Sequence, residues 1–154
     1  MRSPYISFSL ETKDVATVLP LVDTAAAGID LARWRNFVRR IINAQRSSPA
    51  GAVGLRSPDG YVCGLLIYRV ECELRHGLVL AIDLFTALAL RHEERAIHAL
   101  IKVAEVKARE LACAATRVRI YASQKSFAEH FMAAGYSQEA ILFSKAVEAR
   151  PTPS

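Results

Sequence analysis

The chain has 154 residues, 52% of them hydrophobic, and a formal net charge of +5. That length supports one domain with a sizeable core, and so apolar a composition excludes a disordered chain. No apolar run reaches the ~18 residues of a membrane span, and the N-terminal MRSPYISFSLETKD lacks the apolar centre of a signal peptide, so a cytoplasmic protein without a membrane partner is expected.

Residues Tyr5 to Leu10 alternate loosely and predict a first strand. Thr12 or Asp14 can cap a helix reaching about Ala27, with Pro20 kinking or splitting it. Gly28 ends that helix, and Asp30 can cap a second one running to about Gln45. In the second helix Leu31, Trp34, Phe37, Val38, Ile41 and Ile42 share one face, at helical spacing. Arg33, Arg39, Arg40 and Arg46 occupy the other face. Without interleaved exposed aromatics, those arginines do not predict nucleic acid as a partner. Ala52 to Arg56 reads as a short strand, followed by a turn at Pro58-Asp59-Gly60. Tyr61 to Leu74 and Leu78 to Thr86 have strand composition and flank a hairpin connection at Arg75-His76-Gly77. A long helix is expected from Glu93 to Ala112, then an alternating strand from Arg117 to Tyr121. A short helix from Lys125 to Ala134 stops at Gly135, and Tyr136–Gln138 and Ile141–Val147 read as closing strands. Residues 1–149 thus form one α/β domain, a mixed sheet with helices on both faces, and the tail 150–154 is expected to be flexible.

The stretch from Leu84 to Ala99 joins an apolar strand to a helix start at Glu93 and Glu94. Unpaired backbone N–H groups and the positive dipole end make such a junction suited to an anion. Cys63, Cys72 and Cys113 lie among apolar neighbours with no CxxC pairing, which predicts reduced, largely buried thiols. Glu94 and His98 are four residues apart on one helix but lack a third ligand, so no metal site is expected.

This element order, with a three-strand meander before a central helix, resembles the GNAT superfamily of N-acetyltransferases from Tyr5 to Val147. Two motifs carry the resemblance. Arg91, His92, Glu93, Glu94, Arg95 and Ala96 occupy the register of the family's cofactor loop, with Glu94 in place of the central glycine. Ala128, Phe131, Gly135 and Tyr136 fit the family's later aromatic-rich helix ending in Gly-Phe. The resemblance implies a mostly antiparallel sheet and acyl transfer from acetyl-CoA to an amine, borne by a small molecule or a protein. It implies that the fourth strand splays from the fifth, that the pantetheine arm pairs with Phe85, Thr86 and Ala87, and that the pyrophosphate rests on N–H groups from Glu94 to Ala96. Arg91 and Arg95 would add charge suited to phosphate.

Such a transfer needs a deprotonated amine, a polarised thioester carbonyl and a stabilised leaving thiolate. Asp83 is the first choice for the base, with Glu71 and Glu73 as alternatives; its other reading is a strand-end acid paired to an arginine. The family's acid is commonly a Tyr at the position of Phe131, which has no exchangeable proton. His130 beside it can protonate a thiolate at neutral pH, and Tyr121 and Ser123 are further options. Glu94 sets like charge against the pyrophosphate, at roughly 1–3 kcal/mol for unit charges ~5 Å apart. A rival reading follows, a non-catalytic binding or regulatory module of the same fold, serving as a homodimer.

Overall fold

A computed structural model describes residues 4–44, 48–89 and 91–148. The sequence reading of Gln45 and Arg46 and of the tail 150–154 lies outside the described residues. Five strands form one sheet in the order β1 (Ile6–Ser9), β2 (Ala50–Arg56), β3 (Val62–Glu73), β4 (Gly77–Ala87) and β5 (Ala115–Val118). The first four pair antiparallel, and β5 runs parallel to β4. The helices are α1 (Leu19–Ala25), α2 (Leu31–Ala44), α3 (Glu93–Glu110) and α4 (Phe127–Ala133). No helix among the described residues is long and apolar enough to cross a membrane.

The expected first helix is in two pieces. A single 3-10 turn spans Thr12–Asp14, and Pro20 lies in the first turn of α1, where its missing N–H breaks no intrahelical bond. Asp30 caps α2 as expected, its Oδ1 accepting from the Arg33 N–H at 2.7 Å.

Two cores result, one on each face of the sheet. Val18, Leu21, Val22, Trp34 and Val38 from the first two helices pack on Leu65, Ile67 and Leu84. Ala96, Leu100 and Ala104 of α3, with Phe127 and Phe131 of α4, pack on Leu55, Leu66, Leu80, Ile82 and Phe85. The two faces of β3 and β4 are both buried, which explains their near-continuous apolar runs. The Trp34 indole is 2% exposed and donates to the Val15 carbonyl at 2.7 Å, fixing α2 to the chain before α1.

Two sequence expectations fail at the C-terminal side. β5 spans 115–118 rather than 117–121, because its partner β4 turns away after Ile82 and leaves the later residues without a ladder. The predicted strands at 136–138 and 141–147 do not form. They lie alongside no strand of the sheet among the described residues, and composition without hydrogen-bond partners does not make a strand. Glu139 ties the segment to the β3–β4 hairpin through His76 Nε2 at 2.9 Å. The bond from the imidazole is the main influence holding the Glu139 carboxyl below its ordinary pKa. Beyond it Ile141, Leu142, Phe143 and Val147 are exposed, Phe143 to 88%.

These environments predict opposite responses to truncation. Leu100→Ala should cost about 2–5 kcal/mol in urea unfolding, as for a fully buried leucine. Phe143→Ala should stay within about 0.5 kcal/mol, as at an unpacked surface position.

Candidate functional site

The site originates in one extra residue of β4. Ile67 of β3 pairs with Leu84 and Tyr68 pairs with Ile82, so Asp83 between them has no partner across the ladder. This is a β-bulge, which bends its strand and increases local twist. On the other side of β4, pairing with β5 covers Val79 to Ile82 and ends with the Arg119 N–H on the Ile82 carbonyl at 3.0 Å. Past the bulge the two strands separate.

The released edge of β4 consists of Phe85 and Ala87. The Leu88 N–H donates to the Cys63 carbonyl at 2.8 Å, which turns Leu88, and by alternation Thr86, toward β3. Phe85 and Ala87 therefore direct their N–H and C=O groups away from β3, into the gap. Thr86, expected on the open edge, instead turns its backbone groups toward Leu65, its partner on β3. Its buried hydroxyl meets that of Thr24 on α1 at 2.9 Å.

Gln124 bridges the gap. Its Nε2 donates to the Phe85 carbonyl at 2.8 Å, and its Oε1 accepts from the Tyr121 N–H at 3.1 Å. The side chain is 5% exposed. Sequence reasoning missed this residue; the signal was a glutamine three residues before Phe127, the start of the apolar face of α4. The floor beyond it is aromatic: Phe131 lies edge-on to Phe85 with centroids at 4.9 Å, and Phe127 does the same at 6.1 Å.

At the mouth of the gap, against α1 and α2, a cavity of about 360 Å³ is lined by Asp83 and Leu84 of β4, Arg69 of β3, and Arg119 and Tyr121 after β5. Arg33, Trp34, Phe37 and Ile41 of α2 close it. Its size falls in the range of small-molecule sites. The Asp83 side chain is 14% exposed, with Arg69 Nε at 2.9 Å and an Arg119 guanidinium nitrogen at 3.8 Å. Asp83 is thus both a cavity wall and an arginine-paired acid, combining the two readings its sequence position allowed.

The alternative bases lie elsewhere. Glu71 and Glu73 both bind Arg117 at 2.9 Å. Burial opposes the charge on Arg117, but those two carboxylates outweigh it and push its pKa up. Neither glutamate lines the cavity. His130 does not line it either: its Nδ1 lies 3.4 Å from Nε2 of His98 on α3, while Phe127 and Phe131 form the face of α4 toward β4. Ser123 donates to the Ala25 carbonyl at 3.1 Å, a tie to α1. Of the proton donors considered from sequence, only Tyr121 reaches the cavity. Burial raises the Cys63 and Cys113 thiol pKa values, as for inert core cysteines.

The start of α3 follows the open edge. His92 precedes it with φ 56°, ψ 46°, a left-handed conformation that turns the chain sharply into the helix. The N–H groups of Arg95 and Ala96 both bond to the His92 carbonyl, so of the three expected anion-facing amides Glu94 alone has no hydrogen bond among the described residues, and Glu93 joins it. Arg91, Glu94 and Arg95 are exposed and Ala96 is buried. Among the described residues neither Glu93 nor Glu94 forms an ion pair, so no arginine holds these carboxylates over the helix start.

Replacing Gln124 with Met keeps its length and removes the donor to the buried Phe85 carbonyl. The variant should lose about 1–3 kcal/mol of stability in thermal or urea unfolding.

No protein-family model and no curated protein matches the chain; the likeness is structural. A ribosomal-protein-alanine N-acetyltransferase from Brucella melitensis biovar Abortus 2308 superposes with a TM-score of 0.69 at 18% identity, over 94% of this chain and 99% of that one. A GNAT family acetyltransferase from Staphylococcus aureus gives 0.69 at 14% identity, over 93% and 98%. The aminoglycoside N-acetyltransferase AAC(6')-Iy, in complex with CoA, gives 0.75 at 11% identity, over 92% and 94%. The chain has the GNAT fold.

Proposed function

We propose that this GNAT-fold chain is an acetyl-CoA-dependent N-acetyltransferase of the cytoplasm, acting on an amine of a small molecule or protein. The observation that carries the reading is the end of β4–β5 pairing at Asp83, with an unpaired strand edge beginning beside a half-open cavity that Asp83 and Leu84 line. A ligand with amide groups can complete that edge as an added strand would, exchanging with the Gln124 amide for the Phe85 carbonyl. The AAC(6')-Iy complex with CoA supports a donor of this kind.

In this reading the pantetheine arm lies along Phe85 and Ala87, and the pyrophosphate meets the N–H groups of Glu93 and Glu94. Arg91 and Arg95 flank it with charge. The acceptor amine enters from the α2 side. Asp83, directly or through a water, takes the proton the amine loses as nitrogen attacks the thioester carbonyl. The tetrahedral intermediate then collapses, breaking the C–S bond. Tyr121 is the donor available to the departing thiolate, since Phe131 has no proton to give and His130 faces α3. Glu94 opposes the donor's charge at some cost in affinity, but its exposed side chain is free to turn toward solvent.

Millimolar acetyl-CoA should raise the melting temperature by several degrees, since a ligand at about 100 times its Kd stabilises by roughly 2.7 kcal/mol. Glu94→Gly should tighten CoA binding about tenfold and Arg91→Ala should weaken it. Asp83→Asn should lower kcat about a hundredfold, the scale of lost general-base catalysis, with little change in CoA binding. An unchanged melting temperature in the parent protein, with a shift appearing only in Glu94→Gly, would identify a non-catalytic module of this fold.

A further inference from the structure

The cavity beside Asp83 has an uneven charge inventory. Three guanidiniums line it, from Arg33, Arg69 and Arg119, against one carboxylate. Arg69 is committed, its Nε lying 2.9 Å from Asp83 and 3.1 Å from Glu71. Arg119 approaches Asp83 only to 3.8 Å, longer than a hydrogen bond. Arg33 has no ion-pair partner among the described residues. Its helix supplies none: α2 carries Arg33, Arg35, Arg39 and Arg40 and no Asp or Glu. Asp30, the acid just ahead of it, caps the helix through the Arg33 N–H. Apart from Tyr121 the rest of the wall is apolar, with Val22, Ile29, Trp34, Phe37 and Ile41 among its residues.

We propose that the acceptor is an amine carrying an oxyanion close to its nitrogen, a carboxylate in the first instance, held by Arg33 and Arg119 while its nitrogen lies at Asp83. This substrate class rests on the transferase reading above. A polycationic amine would face three guanidiniums in a half-enclosed site, where like charges are costly. A zwitterion matches the wall charge for charge, one end toward Asp83 and the other toward the underused arginines. Guanidinium binds carboxylate through paired N–H donors. The Trp34 and Phe37 wall favours an apolar side chain on the same molecule.

Trp34 is the only tryptophan in the sequence, so its fluorescence reports acceptor binding with no donor present. The test titrates apolar, aromatic and acidic α-amino acids, each against its own amide, with phosphoethanolamine against ethanolamine to separate phosphate from carboxylate. The carboxylate-bearing members should perturb Trp34 emission, weaken with added salt and bind about tenfold tighter than their amides. Arg33→Gln, at an exposed position that folding does not depend on, should abolish most of that preference, and Arg33→Lys should restore part of it. Amides binding as well as the acids, a preference unchanged in Arg33→Gln, or silence from every oxyanion-bearing amine would overturn the proposal. Tighter binding of phosphoethanolamine than of any carboxylate would move the site to phosphate and overturn the carboxylate assignment. Thiol release from acetyl-CoA is assayed on the same panel. Oxyanion-dependent binding without thiol release sinks the transferase reading alone, and thiol release that favours the amides sinks the substrate class alone.

Discussion

The unpaired residue in β4 sets the geometry of everything around it. Asp83 is inserted opposite the Ile67–Tyr68 step of β3, and the strand bends there because one side of the ladder has a residue too many. Up to Ile82 the sheet is an ordinary parallel pair of β4 with β5. After Asp83 the strands part, and two carbonyls and two amides of β4 lose their sheet partners. Buried backbone groups without partners are costly, so the gap must be bridged. Gln124 supplies part of that bridge with its side-chain amide. A side chain filling in for backbone is replaceable in a way that a neighbouring strand is not.

The same bulge aims the chemistry. It turns the Asp83 carboxylate into the cavity beneath α2, where Arg69 and Arg119 meet it. The open edge and the cavity thus adjoin at one residue. The helices on the two faces differ in what they support: α1 and α2 border the cavity, while α3 and α4 pack behind Phe85. Trp34, anchored to Val15, ties the cavity wall to the core that buries Leu84.

Much of this was legible in the sequence because periodicity survives burial. The Trp34, Val38, Ile41 stripe and the Leu100, Ile101, Ala104 stripe identified α2 and α3, and the turn residues Asp59-Gly60 and Gly77 marked the meander. Asp83 and Tyr121, both candidates on sequence grounds, line the cavity. What escaped were features set by pairing rather than by composition. A bulge leaves no trace in local hydrophobicity, so Thr86 was put on the open edge although its backbone faces β3. Side-chain direction on a short helix is a matter of its neighbours, so His130 was chosen although α4 turns it toward His98. The residues 141–147 read as a strand because apolar content registers propensity, whereas a strand exists only where its backbone pairs with a neighbour. Gln124 was passed over because a polar residue in a loop looks unremarkable until its partner, a carbonyl released by a bulge 41 residues upstream, is known.

The central claim is that the Phe85–Ala87 edge is held open for a ligand's amides. Amide hydrogen exchange by NMR, with and without saturating CoA, addresses it directly. The N–H groups of Phe85 and Ala87 should slow by at least about tenfold more than that of Leu88, which is bonded to β3 in either state. Equal slowing at all three positions, or no change at Phe85 and Ala87, would contradict it.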